Sequence, residues 1–167
     1  MQHGHIGKFP RTEVLMIVSS ANNPGFIKRY AMFVQSLFGE KPYVIKKSDS
    51  NCVRISLYQK EISKRLGIPS GSRKNKVIVI PKWIWHNRNY LRRYLRGLYE
   101  AEGSHCIHEP TYTYKFLFSN RNKSLLDNVY YGLKKLGFHP HRSKYQIQIS
   151  KKEEVKKAVE YFEFRKY

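Results

Sequence analysis

Two stretches of this chain carry the same succession of elements, and that duplication constrains the fold more than any other property of the sequence. Val53, Ile55 and Leu57 alternate with Arg54, Ser56 and Tyr58. Tyr112, Tyr114, Phe116 and Phe118 alternate with Thr113, Lys115 and Leu117, and Tyr145, Ile147 and Ile149 with Gln146, Gln148 and Ser150. A period of two puts successive side chains on opposite faces of a sheet, so each run reads as a strand buried on one side only. Asn23-Pro24 opens a helix with Phe26, Ile27, Tyr30, Phe33, Val34 and Leu37 on its apolar side, and Gly39 closes it. A second helix over 122–136 places Leu125, Leu126, Val129, Leu133 and Leu136 likewise and stops at Gly137. Shorter helices over 59–66 and 151–162 each follow a strand directly. The order strand, strand, helix, strand, strand, helix therefore occurs twice.

The repetition is visible in the residues too. A shift of 99 lays Gly4 on Gly103, Ser20 on Ser119, Asn23 on Asn122, Ile27 on Leu126 and Val34 on Leu133. This predicts an α+β protein of two repeats, 1–87 being a first ββαββα repeat with its linker and 88–167 a second αββαββα repeat. The second opens on a helix over 88–101, with Leu91, Leu95 and Leu98 in a stripe, whereas only three residues precede Gly4.

Charge narrows the partner. The chain has 32 Lys+Arg against 12 Asp+Glu, a net charge of +20. Up to Tyr99 there are 19 basic and 4 acidic residues, and no acid at all lies between Glu61 and Glu100. A self-repelling run of this kind points to an anionic partner, and the polar strand faces carry Arg54, Ser56, Thr113, Lys115, Lys144, Gln146 and Gln148, side chains able to bond phosphates and base edges. The bases are not gathered on one amphipathic helix, so a membrane surface is excluded as the partner. Nor is any aliphatic run near the roughly 20 residues of a membrane helix. Residues 1–8 lack the apolar core and cleavage site of a secretory signal, and Cys52 and Cys106 are too few for a disulfide scaffold; both features predict an intracellular chain with reduced thiols.

The helix over 88–101 leads into Leu95-Arg96-Gly97-Leu98-Tyr99-Glu100-Ala101-Glu102-Gly103. Gly97 and Ala101 are four apart on one face and leave room for another helix to approach, which would offset the cost of about 1 kcal/mol that a glycine carries in a helix interior. Acids at the C-terminal end oppose the helix dipole. Two acids at i and i+2 point about 200° apart on a helix, so Gly103 is expected to end the helix and leave Glu102 at an exposed tip as an oxygen ligand for a hard divalent cation, with Glu100 in support.

These residues resemble the LAGLIDADG motif of homing endonucleases, and the preceding Val79-Ile80-Pro81-Lys82-Trp83-Ile84 is similar to the segment that leads into the second motif of two-repeat members. The resemblance covers nearly the whole chain. It implies tandem pseudo-symmetric αββαββα repeats with saddle-shaped antiparallel sheets, double-stranded DNA as partner, and hydrolysis of phosphodiester bonds with Mg²⁺ or Mn²⁺. On the motif positions, Glu102 matches the metal-holding acid, with Glu100 beside it; Gly97 and Ala101 match the helix contact; and Asn120 matches a polar position near the cleavage site. Gly71-Ser72-Arg73-Lys74-Asn75-Lys76 is similar to the stretch carrying an active-site lysine, assigned to Lys74 with Lys76 in reserve, and Arg73 and Lys76 join the DNA contacts.

One departure qualifies the activity. The 99-residue shift puts His3 where the first repeat needs its acid, and imidazole is a poor Mg²⁺ ligand. The chain therefore reads as an endonuclease degenerate or incomplete at its first motif. A non-catalytic DNA-binding regulator with the same fold and an RNA maturase assisting intron splicing are the alternatives, and a homodimer through two Gly97/Ala101 faces would restore a second acid. His105, Cys106, His108, His139 and His141 form a local excess without zinc spacing. Trp83, Trp85 and the stripe from Tyr112 to Phe118 are expected in the core.

Overall fold

A computed structural model describes residues 3–48, 50–72 and 76–164. Its chain divides into two compact units, residues 1–73 and 74–166. In the first, β1 (His3–Lys8) and β2 (Glu13–Ser20) form a hairpin, α1 (Pro24–Phe38) crosses over, and β3 (Tyr43–Lys46), β4 (Cys52–Gln59) and the short α2 (Ile62–Leu66) follow. In the second, α3 (Lys82–Trp85) and α4 (Arg88–Glu102) precede β5 (Gly103–His108), a 3₁₀ turn (Glu109–Thr111) and β6 (Thr113–Ser119). Then come α5 (Lys123–Lys135), β7 (His141–Arg142), β8 (Gln146–Ile149) and α6 (Lys152–Phe162). The two four-stranded antiparallel sheets have the orders β1-β2-β4-β3 and β5-β6-β8-β7. The duplication read in the residues is thus a duplication of topology.

Alternation sets which face is covered. Ile55 lies opposite Ile17 and Val44, and Phe118 opposite Gly103 and Ile147. Ile6, Leu57, Val34, Phe38 and Ile62 close the first core, with Leu15, Ile17, Leu66 and Ile68 against it. The second core is larger. Leu91, Leu95 and Tyr99 of α4 meet Phe116 and Phe118, Leu126, Val129 and Leu133 of α5, and Val155, Ala158 and Phe162 of α6. Tyr99 stacks on Phe116 with ring centroids 4.1 Å apart. At roughly 1.5–3 kcal/mol per fully buried large apolar side chain, this cluster is the main stabilising term of the second unit.

Several expectations are corrected. The segment 76–87, grouped by sequence with the first repeat, packs on the second, because asparagines of the α5 region satisfy its backbone: Asn122 Nδ2 donates to the Lys76 carbonyl at 2.8 Å and Asn128 Nδ2 to the Ile78 carbonyl at 2.8 Å. Ile80 then enters the core. Tyr112 leaves the aromatic stripe because it caps the 3₁₀ turn in the left-handed region, at φ 49°, and is exposed. Trp83 is exposed as well, while Trp85 packs on the core as expected. In α1 the buried positions are Phe26, Val34 and Phe38, and Phe33 and Leu37 stay exposed. Ser56, expected on an open strand face, is only 2% exposed, and its hydroxyl has no hydrogen-bond partner among the described residues.

The motif glycines differ in kind. A Cβ on Gly103 would come within 2.4 Å of the Tyr99 ring and 2.7 Å of its backbone, so only glycine lets the chain turn from α4 into β5 here. A Cβ on Gly97 would meet nothing within 4 Å, so the tight helix contact expected there is not formed among the described residues. Gly97→Ala is expected to raise unfolding stability by up to about 1 kcal/mol through helix propensity, and Gly103→Ala to lower it by about 1–3 kcal/mol through overpacking; urea denaturation distinguishes the two.

A clamp ties the β5–β6 turn to α6. Glu109 pairs with Lys156 at 2.8 Å and Lys152 at 3.3 Å and accepts from the Tyr114 hydroxyl. The bond from Lys156, then that from Tyr114, hold its carboxyl at about 2 against an ordinary 4.5. A depressed folded-state value gives stability that is fully present above 4.5 and lost as the pH falls through about 2. The difference in urea midpoint between the natural chain and Glu109→Gln is therefore expected to be constant near neutrality and to narrow as the pH falls from 4.5 towards 2.

Candidate nucleic-acid interface

The end of α4 is held open by its own sequence. Asn87 caps the start of the helix, accepting from the backbone amides of Asn89 and Tyr90. At the other end Gly103 passes directly into the extended backbone of β5, and Glu102, the last helical residue, is exposed. No basic residue occupies that last turn, so the carboxylate sits at the negative end of the helix dipole with no cation supplied by the helix itself.

Strand pairing brings a second residue to the tip. Because β5 starts immediately after Glu102 and pairs with the far end of β6, Gly103 opposite Phe118, the residue that leaves β6 returns beside the helix end. That residue is Asn120. Its amide Nδ2 donates to Glu102 Oε2, its backbone N–H donates to the Tyr145 carbonyl at 3.0 Å, and its Oδ1 accepts from the Asn122 backbone N–H at 2.7 Å. Both side-chain groups of Asn120 are thus engaged, and it presents N–H, not oxygen, to Glu102. The structure unites the two residues that the sequence singled out 18 positions apart.

Asn122, read from the sequence only as a helix start, fixes this arrangement. It is 5% exposed. Its Oδ1 caps α5, accepting from Leu125 N–H at 3.0 Å and from Ser124 Oγ at 2.7 Å, while Nδ2 holds the Lys76 carbonyl. Ser124 Oγ in turn accepts from Ile78 N–H at 2.8 Å. The backbone of the lysine-bearing segment and the tip of α4 are therefore anchored to the same helix N-terminus. Lys76 has an exposed side chain; Arg73 and Lys74 lie outside the described residues. Glu100 lies two residues from Glu102 in a continuous helix, about 200° around the axis, and the structure does not bring it to the Glu102–Asn120 pair.

The donor set suits a hard divalent cation. Glu102 Oε1 has no hydrogen-bond partner among the described residues, and Mg²⁺ needs only one or two protein carboxylates, taking its remaining ligands from water and phosphate oxygens. No group of three His, Cys, Asp or Glu able to hold a metal occurs among the described residues. That includes the cluster of His105, Cys106, His108, His139 and His141. Alternation sends His105 to the covered face, where it stacks on Phe164 at 5.4 Å, and Cys106 and His108 to the other; the His139 ring bonds Glu154 at 2.5 Å.

The open face of the second sheet is polar. By register it carries Thr113, Lys115, Ser119, Gln146 and Gln148 around the half-buried Leu117, with Ser104, Cys106, His108 and His141 from the flanking strands. Ser104 went unread because β5 has a weak pattern, and Ser119 because it lies just past Phe118, the last aromatic residue of the β6 run. Thr113 is half-buried and bonds Thr111 at 2.9 Å, Gln148 bonds Ser150 at 2.7 Å, and Lys144 lies over the Tyr145 ring at 5.3 Å. The corresponding face of the first sheet is different: His5, Met16, Val18, Tyr43, Ile45 and Tyr58 surround Arg54 and the buried Ser56. No helix among the described residues is long and apolar enough to cross a membrane.

Comparison with known proteins supports this geometry at the level of fold. No protein-family model matches the chain, and no curated protein does. Solved structures of the LAGLIDADG homing endonuclease I-DmoI share its fold. The complex of I-DmoI with DNA and Mn superimposes with a TM-score of 0.62 at 17% identity, over 99% of this chain and 90% of that one. A variant with its target DNA in the presence of Mg also gives 0.62 at 17%, over 99% and 89%. The complex with DNA and Ca gives 0.59 at 18%, over 95% and 80%. The α+β architecture of two topologically equivalent four-stranded sheets is thus the LAGLIDADG homing-endonuclease fold.

Asn122→Ala removes the α5 cap and the hold on the Lys76 carbonyl together, while the backbone N–H that anchors Asn120 remains. Unfolding stability is expected to fall by about 1–2 kcal/mol, with part recovered in Asn122→Ser, which keeps a capping oxygen; urea titration checks both.

Proposed function

We propose that this chain is a sequence-specific endonuclease of double-stranded DNA, of the homing type, that hydrolyses phosphodiester bonds with a divalent cation, Mg²⁺ or Mn²⁺, on Glu102. The observation that carries the reading is the Glu102–Asn120 pair at the end of α4, adjoining a sheet face of Thr, Lys, Gln and Ser. The likeness to DNA-bound I-DmoI supports it.

Each residue has a definite task in this reading. Glu102 supplies the carboxylate oxygen that would hold the cation. Bound there, the cation would lower the pKa of a water and neutralise charge on the scissile phosphate. Asn120 fixes the Glu102 carboxylate through one neutral hydrogen bond and leaves its charge intact. Lys74, with Lys76 in reserve, supplies a positive charge to the phosphate. Lys115, Gln146 and Gln148, with Thr113 and Lys144, meet the base edges and backbone, where amide and ammonium groups discriminate base pairs in the major groove. Arg54 and Arg73 add phosphate contacts, which position the protein on the duplex without reading sequence.

A second reading is a DNA-binding protein that does not cut. It is favoured by the single carboxylate assembled at the site and the lack of any larger ligand group among the described residues.

Incubation with a library of duplex targets in Mg²⁺ or Mn²⁺ separates the two. Glu102→Gln removes the cation's charged ligand without changing shape. It is expected to slow cleavage by about a hundredfold or more, the equivalent of several kcal/mol of transition-state stabilisation, while leaving target affinity unchanged. Undiminished cleavage in that variant overturns the metal role, and tight binding with no nicking in any divalent metal establishes the second reading.

A further inference from the structure

The two sheets share one topology and present opposite chemistry on their open faces. The second offers amide, hydroxyl and ammonium groups. The first offers rings: Tyr43 on the edge strand β3 is 64% exposed, Tyr58 at the end of β4 is 48% exposed, and Phe9 in the β1–β2 turn is 50% exposed. They form a row. The Phe9 and Tyr58 rings lie 6.5 Å apart by centroid, and Tyr58 and Tyr43 6.3 Å apart. At the hairpin end a cleft of about 460 Å³ is lined by Phe9, Pro10, Arg11, Thr12 and Tyr58.

A duplex offers these rings only thymine methyl groups, because its bases hide their faces in the stack and otherwise expose polar edges in the grooves. Unpaired bases expose their faces, and every base stacks on an aromatic side chain whatever its identity. The charges beside the row suit the backbone that comes with such bases. Arg11 lines the cleft, and Arg54 stands on the same face, its Nε buried without a partner among the described residues, two positions along β4 from the equally unpartnered Ser56 hydroxyl. The described acids of this unit lie elsewhere: Glu13 bonds Ser63 at 2.7 Å, Glu40 bonds Gln59 at 3.1 Å, and Glu61 pairs with Lys64 at 3.2 Å.

We propose that Phe9, Tyr58 and Tyr43 form a stacking platform for unpaired DNA bases, with Arg11 and Arg54 holding the adjoining phosphates. The proposal rests on the DNA-binding reading given above and divides its labour: the second sheet reads base edges in the duplex, and the first holds a frayed or single-stranded segment.

The test is fluorescence anisotropy on the full chain with a blunt target duplex, the same duplex carrying a single-stranded DNA extension of about six nucleotides, and that extension made of RNA. The extended duplex is expected to bind at least about fivefold tighter than the blunt one, the smallest effect of stacking one base. A 2-aminopurine placed in the extension is expected to be quenched on binding. In Tyr43→Leu/Tyr58→Leu, two exposed positions where the fold does not depend on the ring, the advantage disappears while blunt-duplex affinity is kept; circular dichroism verifies the fold. Equal binding of extended and blunt duplexes by the natural chain, or an advantage that survives in the double variant, overturns the platform and leaves the DNA-binding reading standing. Binding of the extended duplex with none of the blunt one overturns that reading and upholds the platform. A preference for the RNA extension over the DNA one overturns the assignment to DNA.

Discussion

The hydrogen bonds of one buried asparagine hold the candidate site together. Asn122 caps α5, grips the carbonyl of Lys76 and donates its backbone N–H to Asn120, whose amide holds the Glu102 carboxylate. Three segments distant in sequence meet at that residue. A buried amide has two donors and two acceptor positions, and leaving them unmade costs more than making them gains, so the arrangement is nearly all-or-none. The site at the end of α4 is in this sense a by-product of how α5 begins.

A duplicated topology does not imply duplicated chemistry. Strand order fixes which positions face outward, and the sequence then fills those positions independently in each repeat. Lys115, Gln146 and Gln148 occupy the open face of one sheet, while Met16, Tyr43, Ile45 and Tyr58 occupy that of the other. With the cores satisfied by Leu57 and Ile55 in one unit and Phe116 and Phe118 in the other, the open faces are free to diverge without cost to the fold.

What was legible in the sequence followed from periodicity and caps. The helix predicted over 88–101 is observed as Arg88–Glu102, that over 122–136 as Lys123–Lys135 with Asn122 as its cap, and that over 151–162 as Lys152–Phe162. Asn caps and terminal glycines are local signals, so they survive without tertiary knowledge. The resemblance singled out Glu102 and Asn120 separately, but the cause of their pairing, the return of β6 beside the helix tip, lies in sheet register and is not written in either residue. Ser56 is on the open face, as alternation placed it, but alternation could not show that neighbouring side chains bury it. The segment 76–87 was read as a linker after the first repeat, and its attachment to the second unit was not legible because it depends on asparagine side chains of another element, Asn122 and Asn128, and has no pattern of its own.

Within the second unit one residue type is put to two uses, and the contrast shows what the site requires. Glu109 sits between Lys152 and Lys156 and under the Tyr114 hydroxyl, and its charge is fully matched, so it works as a fastening. Glu102 is held by a neutral amide, at the helix end where the dipole disfavours a negative charge by roughly 0.3–1 kcal/mol. A lysine in place of Asn120 would relieve that repulsion, but it would also lose the acceptor for the Asn122 backbone N–H, occupy the carboxylate and repel a cation. An amide orients the carboxylate through one hydrogen bond and leaves its charge unspent. A chain with 32 basic residues had many ways to pair this acid with a cation, and the partner the structure gives it is a neutral amide.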